Sequence, residues 1–243
     1  AEQQTTISAF KNLFDKNGEI VESELFKITK AFPEILQKKT ISKSSLKMLQ
    51  KINKDERFIE LSPENKLIVQ LAVLFKNSSS IQGIHNIEQS AFNAYYLAEK
   101  LNLPHENKLK LYSIVKNQNL LENAVNGEIS KNALINATCE LRYKDSYKML
   151  EIFSDAKNIT TPQNQKTLNL IKNTIEKEIQ FIQSQSIQIP QSKVPKASQF
   201  IVNGTSVKKV KSNGVTNIVV YLDKKAPIKY IDENGTEKIL DPN

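Results

Sequence analysis

Leu71-Ala72-Val73-Leu74-Phe75-Lys76-Asn77 is a run of five apolar residues that stops on a lysine and an asparagine. The run has a clear beginning further back. Ser62-Pro63-Glu64 supplies an N-cap with proline at the first helical position, and apolar residues then crowd from Leu67 to Phe75. Serine suits a helix start because its oxygen accepts an orphan backbone N–H, and proline at the next position loses no hydrogen bond. A helix that is apolar almost all round is a buried one. This stretch therefore predicts a central helix with other helices packed about it.

Helical spacing continues outward from that centre. Ile87, Ala91, Ala94, Tyr95, Ala98 and Leu101 recur at three and four residues and close before Leu103-Pro104. Leu109, Tyr112, Val115 and Leu120 suggest the next helix, and Ile129 to Leu141 another. Tyr147, Leu150, Ile152 and Phe153 mark one that ends near Asp155. After Thr161-Pro162, a long helix follows through Leu168, Ile171, Ile175, Ile179 and Ile182. Helices with short connections are thus expected over about residues 8–182.

Beyond that the texture changes. The stretch from Ser184 to Pro195 holds two prolines and no helical period, so it reads as a linker. Three Asn-Gly pairs follow, at Asn203-Gly204, Asn213-Gly214 and Asn234-Gly235. Asn-Gly suits the type I′ hairpin turn, whose two central residues both need positive φ. The flanking segments, such as Val215 to Leu222 and Ile228 to Ile231, are rich in β-branched residues. The expected fold is mainly α: a helical domain over residues 1–183, a linker at 184–197 and a small antiparallel β module at 198–243.

Composition bounds the function classes. The 243 residues are 39% hydrophobic and 25% charged, as in a soluble globular protein. No apolar run approaches the roughly 18 residues of a membrane span, and no charged-then-apolar signal segment opens the chain. A single cysteine excludes an internal disulfide and fits a reducing, cytoplasmic setting. The chain opens on Ala1, as a trimmed chain or a piece of a longer protein would.

A net charge of +8 invites a nucleic-acid partner, yet only Arg57 and Arg142 among the 34 basic residues are arginines. Arginine carries the planar fork that reads phosphate and guanine, while lysine is a flexible point charge. Lysines also alternate with acids, as in Lys51-Ile52-Asn53-Lys54-Asp55-Glu56-Arg57, which reads as a solvated face. Residues 184–243 hold nine lysines against five acids, so a polyanion contact would fall in this tail.

Side chains for nucleophilic or metal chemistry are scarce. The histidines are His85 and His105, and the cysteine is Cys139. Cys139 stands among Ala137, Thr138 and Leu141 with no histidine nearby, and reads as a small buried residue. His105 follows Pro104 at a loop–helix junction and reads as surface. Asp15-Lys16-Asn17-Gly18-Glu19-Ile20 with Glu24 looks like a calcium loop, but aligning Gly18 and Glu24 puts Leu13 at the first ligand position, where no oxygen is available. A helix–turn–helix with Gly18 ending one helix is the expectation there. Phosphate-loop, nucleophile-elbow and Rossmann glycine patterns are absent.

Five segments in order carry a resemblance. They are Ser44-Ser45-Leu46-Lys47-Met48-Leu49, the opening Leu71–Asn77, Gly83-Ile84-His85-Asn86 with Ala91 and Ala94, Val115-Lys116-Asn117-Gln118, and Leu150-Glu151-Ile152-Phe153-Ser154-Asp155-Ala156. Their order and spacing resemble the HD-domain superfamily of metal-dependent phosphohydrolases, most of all the HD domain of PII uridylyltransferase/uridylyl-removing enzymes. The likeness spans about residues 40–183. It implies that Ser44 replaces the first histidine ligand, that Lys76 and Asn77 replace the His-Asp doublet, and that Asn117 and Gln118 replace later histidines. His85 and Asp155 alone keep the family's chemical type. In the tail, Gly214 to Tyr221 resembles the first strand of an ACT regulatory domain, although Ala226-Pro227-Ile228 lacks the expected glycine.

With most ligands replaced, the implied site binds no metal and no other cofactor, and no residue is expected to be catalytic. A metal centre needs three or four converging N, O or S ligands, and without one there is no activated water for phosphate hydrolysis. The expected function is a pseudoenzyme, a binding or regulatory scaffold within a larger protein or complex. Its partner is expected to be a protein or small ligand rather than nucleic acid, with no membrane. A residual Mg²⁺ or Mn²⁺ phosphohydrolase built on His85 and Asp155 is the alternative, and a nucleic-acid binder working through the C-terminal module is another. For the emptied centre, the expectation is an ion pair between Lys76 and Asp155, with Asn77 and Ser44 hydrogen-bonded around it.

Overall fold

The computed structural model describes residues 2–32, 42–79, 85–184, 188–189, 200–201, 206–212, 215–221, 228–231 and 237–240. The chain divides into two compact units, Ala1–Ile179 and Gln180–Asn243. The structure is mainly helical.

The first unit opens with helices α1 (Glu2–Lys11) and α2 (Glu22–Ala31), then α3 (Lys43–Asn53), the single turn α4 (Glu56–Ile59) and α5 (Pro63–Phe75). After these come α6 (Ile87–Lys100), α7 (His105–Lys116), the short α8 (Leu120–Val125), α9 (Lys131–Glu140) and α10 (Ser146–Asp155). Helix α11 (Gln165–Ser184) crosses from the first unit into the second.

Helix α5 is the axis of the first unit. Every residue from Leu67 to Phe75 is buried, and the helix touches α1, α3, α6, α7 and α10. Its start follows the sequence rule: Ser62 Oγ accepts from the Asn65 N–H at 3.2 Å and Pro63 opens the first turn. Phe75 closes its apolar run in an edge-to-face contact with Phe32, ring centres 5.3 Å apart. The amphipathic neighbours turn one stripe each toward this axis, as Met48, Leu49 and Ile52 do on α3 and Leu150 and Phe153 on α10.

Several boundaries differ from the sequence expectation. Helical structure begins at Glu2 rather than near residue 8. Leu120 opens α8 instead of ending α7, because Asn117 closes α7 with its side-chain amide on the Ser113 carbonyl at 2.8 Å. Gly18 lies within the turn between α1 and α2 rather than at a helix end, in the left-handed region at φ 77°. Asp15 Oδ1 organises that turn by accepting from the N–H groups of Asn17 and Glu19 at 2.8 and 3.0 Å. Leu13 is fully buried there. Cys139 is half-buried, and burial pushes its thiol pKa up.

In the second unit the described backbone past α11 is extended. Ser206–Ser212 pairs antiparallel with Val215–Tyr221, from Ser206 opposite Tyr221 to Ser212 opposite Val215. Ile228–Ile231 pairs antiparallel with Glu237–Leu240. The Asn-Gly pairs, Gly83-Ile84, Ala226-Pro227 and most of the 184–197 segment lie outside the described residues. Among the described residues no helix is long and apolar enough to cross a membrane.

Candidate functional site

The last turn of α5 delivers Lys76 into the interior, where it is 9% exposed. Its ammonium donates to Ser45 Oγ at 2.8 Å, and more weakly to the Val73 carbonyl at 3.4 Å. Ser45 comes from the first turn of α3, on the same stripe as Met48, Leu49 and Ile52. Two side chains converge on the Lys76 carbonyl: Gln118 Nε2 donates at 2.9 Å and His85 Nε2 lies at 2.9 Å. A carbonyl only accepts, so His85 carries its proton on Nε2. These contacts satisfy a carbonyl that a helix end leaves without an intrahelical partner.

Gln118 is the hub of the cluster. It also donates to the Val115 carbonyl at 3.0 Å, and its own backbone oxygen accepts from Lys157 Nζ at 2.7 Å. Lys157, just past α10, reaches Asn119 Oδ1 at 3.2 Å and Glu122 at 3.8 Å. A second polar knot ties the end of α5 to α6. The Ser79 N–H donates to Ser90 Oγ at 3.2 Å, the two hydroxyls lie 2.8 Å apart, and the Ser79 hydroxyl donates to the Asn86 carbonyl.

The electrostatics are those of an uncompensated cation. Burial first, and the Lys157 charge second, pull the Lys76 pKa down to about 8. Burial lowers the Lys157 pKa too, with Glu122 acting against it. Among the described residues, no carboxylate forms an ion pair with Lys76. Nor does any group of three His, Cys, Asp or Glu stand where it could hold a metal ion. A divalent cation here would face two ammonium groups, while an anion would meet donors.

The expected Lys76–Asp155 pair is not formed. Asp155 lies half-buried and pairs with Arg57 instead, Nη2 to Oδ2 at 2.8 Å, and accepts a hydrogen bond from the Thr160 hydroxyl. Arg57 joins three acids, since it also meets Asp55 at 2.7 Å and Glu151 at 3.3 Å. The Asp55 hydrogen bond, ahead of the Asp155 contacts, raises its pKa further above the usual arginine value, while burial opposes them. The physical reason is competition: a guanidinium takes a carboxylate through its planar fork, whereas Lys76 finds a neutral hydroxyl.

Of the seven expected positions the structure brings three together: Lys76, His85 and Gln118. Ser44 is exposed, with its hydroxyl 3.0 Å from that of Ser42, and Asn77 is exposed as well. Asn117 turns toward α9, where it donates to Glu140 at 2.9 Å. His105 is exposed at the first position of α7. Sequence reasoning missed Ser45, Lys157 and Arg57. Ser45 was findable, because 45, 48, 49 and 52 share one helical stripe and 44 lies off it. No family model, curated protein or solved structure matches this chain.

Proposed function

We propose that the helical unit is a catalytically inactive, HD-like domain that serves as a binding or regulatory scaffold, within a larger protein or complex and in a reducing cytoplasmic setting. One observation carries this reading. At the end of the central helix, where the resemblance places a metal-gripping doublet, a buried ammonium donates to Ser45 and its carbonyl is held by Gln118 and His85. The polar groups there close on one another and join α3, α5 and the turn between α7 and α8, a structural duty a cation performs in a metal-holding fold. We propose also that the paired strands of the tail form a small antiparallel β module.

Metal content and turnover test the reading together. The purified protein is incubated with Mg²⁺ and with Mn²⁺, desalted and analysed for bound metal. Hydrolysis of bis(p-nitrophenyl) phosphate and of nucleoside phosphates is then followed with each ion present. The expected outcome is substoichiometric metal and no hydrolysis above background. Stoichiometric metal, with turnover that His85→Ala abolishes, would establish the residual hydrolase instead.

A further inference from the structure

At the other end of α5 from Lys76, a cavity of about 450 Å³ opens between α1, the turn that follows it, α4 and the first two turns of α5. That volume is in the range of small-molecule sites. Its apolar wall is made by Phe10, Phe58 and Leu67, which are buried, with Phe14 half-buried beside them.

Two features set it apart from a packing gap. Gln70 lines it, is only 7% exposed, and its side-chain amide makes no hydrogen bond among the described residues. The amide faces the open space of the cavity, where water or a ligand group can take its hydrogen bonds. Lys66, one helical turn before Gln70 on the same face of α5, also lines the cavity. Its Nζ lies over the Phe58 ring, 6.0 Å from the centre, and neither it nor Lys11 at the rim forms an ion pair among the described residues. Asp15, the acid in the lining, has Oδ1 engaged by the N–H groups of Asn17 and Glu19.

We propose that this cavity binds a small amphipathic carboxylate: the carboxylate meets Lys66, an amide or similar group one turn deeper pairs with Gln70, and the apolar body lies on Phe10, Phe14, Phe58 and Leu67. Charge and shape both point this way. The lining carries two lysines against one acid, Gln70 and Asn53 are neutral amides that both donate and accept, and the rest of the wall is aromatic or aliphatic. The proposal goes beyond the scaffold reading and does not rest on the Lys76 cluster, so either can fail alone.

Calorimetric titration with N-octanoylglycine and with its neutral counterpart N-octanoylglycinamide tests it. The acid is expected to bind, and the amide to bind about tenfold more weakly, the difference a charge-assisted contact makes. Lys66→Met, which keeps an unbranched apolar side chain and removes the charge, is expected to bring the acid down to the amide's affinity and leave the amide unchanged. Gln70→Leu is expected to weaken both about tenfold, because it removes the amide that pairs with the ligand's own. Equal affinity for acid and amide, or no heat from either, would overturn the proposal. So would acid binding that neither substitution changes, the mark of nonspecific adsorption to apolar surface.

Discussion

At the scale of single residues, Lys76 sets the terms. Its folded pKa of about 8 lies below the ordinary lysine value. Between about pH 8 and the ordinary value near 10.5, the unfolded chain therefore holds a proton that the folded protein has released. The stability that depends on this group rises with pH across that window, and it is lowest below about pH 8, where the folded protein carries the buried charge. Lys76→Met is accordingly expected to stabilise the protein at pH 7, by about 1–2 kcal/mol. The gain should shrink as pH approaches 10. Denaturant midpoints of both proteins across that range check it, and a loss of stability of the same size at every pH would show that the ammonium is a net asset. The inward direction of Lys76 came from the resemblance, since a lysine at the end of an apolar helix can equally extend its stem into water. Its partner was not legible. Asp155 and Lys76 are each reasonable for the other on charge alone, and only the three-dimensional placement of Arg57 decides the competition.

At the scale of elements, the signals that were legible are those with a local mechanism. Ser62 caps α5 and Asn86 caps α6 through bonds made within three residues; the first cap was read from the sequence, while α6 was placed by its apolar spacing from Ile87. Ser62→Ala is expected to cost about 1 kcal/mol, read as a lower denaturant midpoint with unchanged slope. A loss well above that would mean the cap holds more than its own helix. The break between α7 and α8 has no such local signal. Leu109 and Leu120 are eleven residues apart, three helical turns, so Leu120 still faces the core and the period runs through the break unperturbed. What ends α7 is Asn117 reaching both the Ser113 carbonyl and Glu140 of α9. One of these partners arrives from an element far along the chain. Periodicity reports which face is buried, and it is silent about whether the backbone pauses between two turns.

At the scale of the molecule, two polar networks that meet at α3 tie the helices together by different means, and they are expected to behave as separate units. One is ionic and lies nearer the surface: Arg57 of α4 holds Asp155 and Glu151 of α10, and Lys51 of α3 donates to the Asp155 carbonyl at 3.0 Å. The other lies deeper and lacks a carboxylate on Lys76, running from Ser45 through Lys76 and Gln118 to Lys157. Had Lys76 and Asp155 been paired, removing either would strand the other in the interior, at a cost of several kcal/mol. In the structure Asp155 is partly solvated, with side-chain exposure of 21% against 34% for Arg57, so Asp155→Ala is expected to cost only about 1 kcal/mol. A pair of double-mutant cycles separates the two arrangements. Arg57→Met and Asp155→Ala share a contact and should be non-additive, with a coupling of about 0.5–1 kcal/mol that salt weakens. Lys76→Met and Asp155→Ala belong to different networks and should add within about 0.5 kcal/mol. Strong coupling in the second cycle, and none in the first, would mean that in solution the carboxylate turns inward to the lysine and the arginine stands free.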